Sequence, residues 1–442
     1  MEIKQIIFLI TLLITLGVFA YSMYRIFSFM KFTRPFPIGN IPKRINITLK
    51  VAIGQTKIFR KPLVGLAHAL VFWGFLVILF GSIEMVIDGL FGTERVLKVL
   101  GLVYDVLIAS GDIFALIVLI AIIAFLIRRI FMHIQRFYGV EMKPISKIDA
   151  NIALTIILIL MLSLLGMNTF YILEQRMHGE EIAGVYPVSM YLADWFGGLP
   201  AGQVIFWHEF NWWMHILWIF IFANILPYSK HFHVFMSIPN VFLSRLEPLG
   251  YLPNMPEITR EVKLMMDPDA AFGEPAEGGE EEAPSRFGVK DAEDTSWKNY
   301  LDALACTECG RCTEVCPANM TGKLLSPRKI VMDLRARMKE KGPGLVKEGL
   351  SYDDQKSLLR DWITEEELWA CTTCNACAKE CPVNINHPSL IVDMRRYLVM
   401  EESAGPGDLN TVFTNIENNG APWQFSPEDR MNWAEELYMN KV

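Results

Sequence analysis

Five long apolar stretches, near 6–24, 63–87, 102–127, 152–173 and 205–227, constrain this chain more than anything else in it. The hydrocarbon core of a bilayer is about 30 Å thick and takes about 20 mostly apolar residues per helix. In lipid every backbone N–H and C=O must be paired internally, so a stretch of this kind spans as a helix. The sequence therefore predicts five membrane helices in the first 230 residues. Composition agrees, because 52% of the 442 residues are hydrophobic and only 20% charged. A typical globular domain reaches about 45–50% apolar only when glycine is included, so an ordinary soluble enzyme is excluded. The first stretch has Glu2 beside Lys4 and no small-residue cleavage site before Tyr21 and Arg25, which reads as a retained anchor rather than a signal peptide.

Loop charge gives an expected orientation. Residues 25–61 hold nine Lys and Arg, from Arg25 to Lys61, and residues 128–147 hold Arg128, Arg129, Arg136, Lys143 and Lys147. The alternate loops set Glu84, Asp88 and Glu94 against Arg95 and Lys98, and Glu174, Glu180, Glu181 and Asp194 against Arg176. Positive loops stay on the cytoplasmic side, which puts the N-terminus outside and everything after the fifth span inside a prokaryotic inner membrane. The formal charge of −7 carries no basic patch of the kind that binds nucleic acid.

Four of the eight histidines are weighed separately. His68 begins the second span, His215 lies inside the fifth in Trp212-Trp-Met-His215, and His231 and His233 lie at its exit in Tyr228-Ser-Lys-His-Phe-His. An ionisable group inside a span is costly and is a functional hypothesis by default. In a continuous helix the 18 steps from His215 to His233 make five turns, placing both on one side about 27 Å apart, with His231 about 160° away. Two stacked imidazoles on one face of a bundle helix suit b-type haems, each iron taking a ligand from each of two facing helices. The plainer alternative is a hydrogen-bonded His215 and interfacial His231 and His233.

This arrangement resembles the cytochrome b gamma subunit of respiratory nitrate reductase, a five-span protein with its N-terminus outside and haem ligands on spans two and five. The resemblance covers residues 1–245 and implies a haem on His68 and His233, nearer the cytoplasm. The family's second span-two histidine falls at Ile78 here, so an outer haem on His215 lacks its expected partner. His178 or His208 is a possible substitute, or there is no second haem.

Residues 246–296 read as a linker. From 265 onwards Asp267, Asp269, Glu274, Glu277 and Glu280-Glu281-Glu282 interleave with Pro268, Pro275, Pro284 and glycines, a composition expected to stay a solvated spacer. All eight cysteines follow it, in Cys306-Thr-Glu-Cys309-Gly-Arg-Cys312-Thr-Glu-Val-Cys316-Pro and Cys371-Thr-Thr-Cys374-Asn-Ala-Cys377-Ala-Lys-Glu-Cys381-Pro. Both blocks are C-x2-C-x2-C-x3-C-P, the run that holds two [4Fe–4S] clusters with each fourth cysteine crossing to the other cluster. The expected ligand sets are Cys306, Cys309, Cys312 and Cys381 for cluster one, and Cys371, Cys374, Cys377 and Cys316 for cluster two. Disulfides are disfavoured in a cytoplasmic domain, and four-cysteine zinc sites rarely use this triple spacing.

Between the blocks, Lys329-Ile-Val-Met-Asp-Leu-Arg-Ala-Arg-Met has helical periodicity. A long helical insert there resembles the all-helical ferredoxin domain of heterodisulfide reductase C-type subunits and of succinate dehydrogenase iron–sulfur proteins, over about 297–400. The joined halves resemble membrane iron–sulfur oxidoreductases that take electrons from electron-transfer flavoprotein and reduce quinone, relatives of heterodisulfide reductase. In that family a tail like Asn419-Gly-Ala-Pro-Trp423-Gln-Phe-Ser-Pro-Glu-Asp-Arg430-Met-Asn-Trp433 leads into a cysteine-rich CCG domain. No cysteine follows Cys381 here, so a separate CCG-type subunit is expected to supply that centre.

The expected architecture is all-α. A five-span cytochrome b domain covers 1–245, the linker 246–296, a helical ferredoxin domain with two [4Fe–4S] clusters 297–400, and a partner-docking tail 401–442. The expected activity is a quinone-linked electron transfer between a soluble redox partner, the clusters, haem b and quinone, with Glu84 and Asp112 as candidate proton groups at the quinone. The alternatives are a membrane subunit of a heterodisulfide-reductase-like sulfur-metabolising complex and an anchor that relays no electrons. Nothing resembles a nucleophile–base pair or a phosphate cradle, and Gly-Gly-Leu-Pro at 197–200 reads as a loop.

Overall fold

The computed structural model describes residues 2–267 and 286–439. Its ordered elements are helices, with only two isolated bridges among the described residues. Five helices are long and apolar enough to cross a membrane: Ile3–Phe32, Pro62–Phe91, Leu102–Ile130, Pro144–His178 and Ala201–Tyr228. Each contains one expected stretch, extended by the flanking turns. The fourth is the most enclosed, packing against both the third and the fifth.

Span one packs on the bundle through aromatic contacts at Phe8 and Phe19. Phe8 is fully buried and stands 5.7 Å from Trp212 and 5.9 Å from Phe220, ring centre to ring centre. Gly89 of span two makes this possible, since a Cβ there would meet the Phe8 ring at 2.8 Å.

Span five departs from the continuous helix expected from the His215–His233 spacing. The α-helix Ala201–Ile225 gives way to a 3-10 turn at Leu226–Tyr228, an extended Ser229, a second turn at Lys230–Phe232 and a new helix, His233–Phe242. Pro227 has no N–H to donate and crowds the carbonyl four residues back, which ends a helix. The 18-step phase count therefore does not describe how His215 and His233 are related.

The cysteine-rich domain sits on one end of the bundle and shares a core with it. Ile26, Phe29, Ala52, Phe232 and Met236 from the span ends pack in one cluster with Tyr300, Leu304, Ile330, Leu334, Met338 and Ile391. Both Lys/Arg-rich loops lie at this end. Lys57 Nζ donates to Cys381 O at 3.0 Å, Arg60 to Lys379 O at 2.7 Å, and Lys61 pairs with Glu314 at 2.6 Å. The chain leaving span one pairs with the entry to the domain, Arg34 N donating to Thr295 O at 2.9 Å and Trp297 N to Arg34 O at 3.0 Å.

The expected solvated spacer is only partly so. Its acidic run Glu280-Glu281-Glu282 lies outside the described residues, but the segment from 286 is built into the domain. Val289 and Ala292 are core residues, and buried Asp291 pairs with Arg337 at 2.6 Å and Lys341 at 2.8 Å. The acidity at Asp291 thus serves packing rather than solvation. The insert between the cysteine blocks is helical as expected, chiefly Pro327–Glu348.

Candidate functional site

The two cysteine blocks wind the same way. Each has a residue in the left-handed region after its second cysteine, Gly310 (φ 74°) and Asn375 (φ 60°), which starts the short helix carrying its third, Arg311–Glu314 or Ala376–Glu380. Gly310 is also required sterically, since a Cβ there would lie 2.6 Å from Arg136 O in the loop between spans three and four.

The eight thiols gather in two crossed sets. Cys312 feels the charge of Cys309, Cys306 and Cys381, and Cys377 that of Cys371, Cys316 and Cys374. Cys377 also acts weakly on Cys312, so the sets are neighbours. Burial first, and then the neighbouring thiolates, push Cys381 and Cys377 up to about 12, while burial holds Cys306 at about 11. Thiols that resist ionisation on their own need cationic metal to become thiolates.

A small cavity marks the first set, lined by Cys306, Cys309, Cys312 and Cys381 together with Arg328 and His387. Arg335 donates to Cys306 O at 3.1 Å, and Arg395 donates to Cys371 O at 2.5 Å beside the second set. The first set faces the bundle; in the second, Cys374 is exposed. Sequence reasoning does not find His387 or Arg328. His387 is buried with an unpartnered Nδ1, and burial lowers its pKa to about 4. Its only signal is a position six residues beyond Cys381.

Across the interface, Arg328 is buried against Glu141 from the loop between spans three and four, at 2.7 Å. Burial opposes the Glu141 charge, but the Ser326 hydroxyl and the Arg328 guanidinium outweigh it and hold the carboxyl below its ordinary range.

His68, in the first turns of span two, and His233, just beyond span five, are both half-buried. His68 Nδ1 is buried without a partner. His233 Nδ1 lies 3.2 Å from Lys230 O. A carbonyl only accepts, so Nδ1 carries the proton and Nε2 keeps its lone pair, the tautomer that neighbouring carbonyls impose on metal-binding imidazoles. Both rings thus have a nitrogen that a haem iron could take. His231, 5.9 Å from His233 ring to ring, is hydrogen-bonded to Ser229 at 3.1 Å.

His215 is buried in the bundle, with Nδ1 2.9 Å from Leu160 O and 3.1 Å from Ser163 Oγ. It lines a cavity between the spans with Ile78, Glu84, Tyr104, Asp112 and Arg95. No other histidine lines it. His208 is bonded to Glu174 at 2.6 Å, and His178 is exposed. Arg95, a loop residue by sequence, folds inward, 3.9 Å from Glu84 and 3.2 Å from Asn168. Glu84 accepts from Leu97 N at 2.9 Å and Tyr104 OH at 3.2 Å. Asp112 accepts from Val188 N at 2.7 Å and from Ser189 N and Oγ at 3.0 and 2.5 Å, capping the helix Ser189–Phe196.

Comparison with known proteins agrees with this geometry. Residues 298–382 match the 4Fe-4S dicluster domain family. The chain is 32% identical to the probable iron–sulfur-binding oxidoreductase FadF of Bacillus subtilis, over 87% of this chain and 54% of that protein. It is 30% identical to the EtfAB:quinone oxidoreductase of Syntrophomonas wolfei, over 90% and 54%. It is 33% identical to the C-type subunit of the ferredoxin/F(420)H(2)-dependent CoB-CoM heterodisulfide reductase of Methanosarcina acetivorans, over 23% and 49%. The chain spans about half the length of these curated relatives, and no solved structure matches significantly. By sequence, then, this chain is similar to an iron–sulfur-binding oxidoreductase, an EtfAB:quinone oxidoreductase and a heterodisulfide reductase subunit, and it carries a 4Fe-4S dicluster domain seated on a bundle of five apolar helices.

Proposed function

We propose that this chain carries electrons between a soluble redox partner and quinone, through two [4Fe–4S] clusters and one haem b. The supporting observation is the packing of the first cysteine set against the bundle end that carries His68 and His233. Lys57 spans that join, between the Cys381 carbonyl and Arg311, which donates to Lys57 O at 2.9 Å. Cys306, Cys309, Cys312 and Cys381 hold the inner cluster, and Cys371, Cys374, Cys377 and Cys316 the outer one, whose exposed Cys374 marks the port for the partner. A CCG-type iron–sulfur subunit or an electron-transfer flavoprotein suits that port. The exposed Trp423, Phe425 and Trp433 of the tail give such a partner an aromatic footing.

Quinone is assigned to the mostly apolar cavity beside His215, where Glu84, Tyr104 and Arg95 supply the few polar groups. Reduction takes two electrons and two protons. Glu84 is the better placed carboxylate to pass protons, because Asp112 is fully engaged as a cap. With one imidazole at the cavity wall, His215 serves the quinone rather than a second haem. The Lys/Arg-rich loops favour the cytoplasm as the side of the clusters. Similarity to a heterodisulfide reductase subunit favours one alternative, a sulfur-metabolising complex, in which a disulfide rather than quinone reoxidises the haem.

Haem quantitation with a reduced-minus-oxidised spectrum decides the ligand assignment. His68→Ala is expected to abolish the b-type signal and His215→Ala to leave it intact while slowing quinone reduction. Full haem in His68→Ala would overturn the assignment, and haem loss in His215→Ala would restore a second haem.

A further inference from the structure

One buried ionic chain connects the segment that carries His233 to the loop that carries Cys306 and Cys309. Lys230 lies in the turn Lys230–Phe232, made where Pro227 ends span five, and is buried. Its carbonyl accepts from His233 Nδ1 at 3.2 Å, and its backbone N–H donates to Asp149 Oδ2 at 3.1 Å. Its ammonium donates to Ser146 Oγ at 2.8 Å and to Ser146 O, and stands 3.5 Å from Glu308 Oε2. Ser146 in turn bonds Glu308.

Glu308 lies between two cysteines of the first set. It is buried, and it holds φ at 56°, a left-handed conformation that few residues with a side chain adopt. Its second oxygen pairs with Arg335, which also donates to Cys306 O at 3.1 Å. Read from one end to the other, the contacts run His233, Lys230, Ser146 and Glu308, Arg335, Cys306.

A buried charge is expensive unless paired, and ion pairs of this kind are weak evidence for stability alone. A position between two reducible centres gives these charges another effect. Adding an electron to either centre adds a negative charge, which a nearby ammonium stabilises and a nearby carboxylate opposes. With low-dielectric surroundings the effect is poorly screened.

We propose that Lys230 and Glu308 are the positioning residues of the haem–cluster step: they lock the haem-ligand turn onto the cluster loop, Lys230 raising and Glu308 lowering the reduction potentials of both centres. With a cluster on the first cysteine set and a haem on His68 and His233, the step would pass one electron from cluster to haem iron, with no proton transferred. This rests on the reading of His68, His233 and the first cysteine set given above.

The test uses full-length protein in nanodiscs, with optical titration of haem b and paramagnetic-resonance titration of the clusters. Lys230→Met is expected to lower the potentials of the haem and the inner cluster, and Glu308→Gln to raise them. The outer cluster should move least in both, and Lys230→Arg should restore the parent values. Haem reduction by the reduced inner cluster should slow at least tenfold in Lys230→Met. Unchanged potentials in a variant with full cofactor content would overturn the inference, as would an outer cluster that shifts as far as the inner one. If Lys230→Met fails to assemble, the upward shift in Glu308→Gln decides alone. Parent protein without haem would sink the functional reading instead, while the cluster shift would still be read.

Discussion

Arg328 and Glu141 show how one pair of side chains fixes the join between the domains. Arg328 is about 1% exposed and Glu141 about 4% along their side chains, so removing one partner leaves the other charge buried. Arg328→Met should cost about 3–5 kcal/mol, read as a lower unfolding midpoint and faster proteolysis between the bundle and the dicluster domain. Because the folded carboxyl titrates below its ordinary value of 4.5, its contribution is present above that pH and is lost as pH falls through the folded value. Parent protein should therefore lose stability below about pH 4.5 more steeply than Glu141→Gln, which is weaker at pH 7 and flatter in acid. At Gly310, a positive φ and a neighbouring carbonyl at 2.6 Å leave no room for a Cβ. Gly310→Ala should reduce iron content, measured per chain. Neither Arg328 nor Glu141 is legible as a site residue, since one charged residue among 89 has no pattern. The cysteines are legible because their chemistry fixes their spacing.

At the scale of elements, long apolar stretches are the most readable feature a sequence has, and all five spans lie where hydropathy places them. The helical insert between the cysteine blocks is readable for the same reason, a sustained periodicity. Span five differs from expectation because a phase count assumes a continuous helix, which Pro227 interrupts. The linker differs at its end because composition alone treats Asp291 as solvated, whereas Arg337 and Lys341, about 50 residues later, bury it. Helix contacts at small residues are not legible either. Gly89→Ala would push a Cβ into Phe8 at 2.8 Å and should destabilise the docking of span one by about 1–3 kcal/mol, seen as a lower melting temperature in detergent.

For the whole molecule, the positive loops have two roles. Their bias orients membrane helices, and here Lys57, Arg60, Lys61 and Arg136 also hold the dicluster domain against the bundle. The same end gathers the inner cysteine set and the His68–His233 pair, while the cavity beside His215 lies between the spans. Electrons and quinone would then meet inside the bundle. The most direct test of this layout is stopped-flow reoxidation of dithionite-reduced, full-length protein by a soluble menaquinone analogue, followed in the haem b band. The proposed route predicts one haem per chain that reoxidises on quinone addition, fast in the parent and slowed in His215→Ala. A chain that binds no haem, or a reduced haem that quinone leaves untouched, would contradict it.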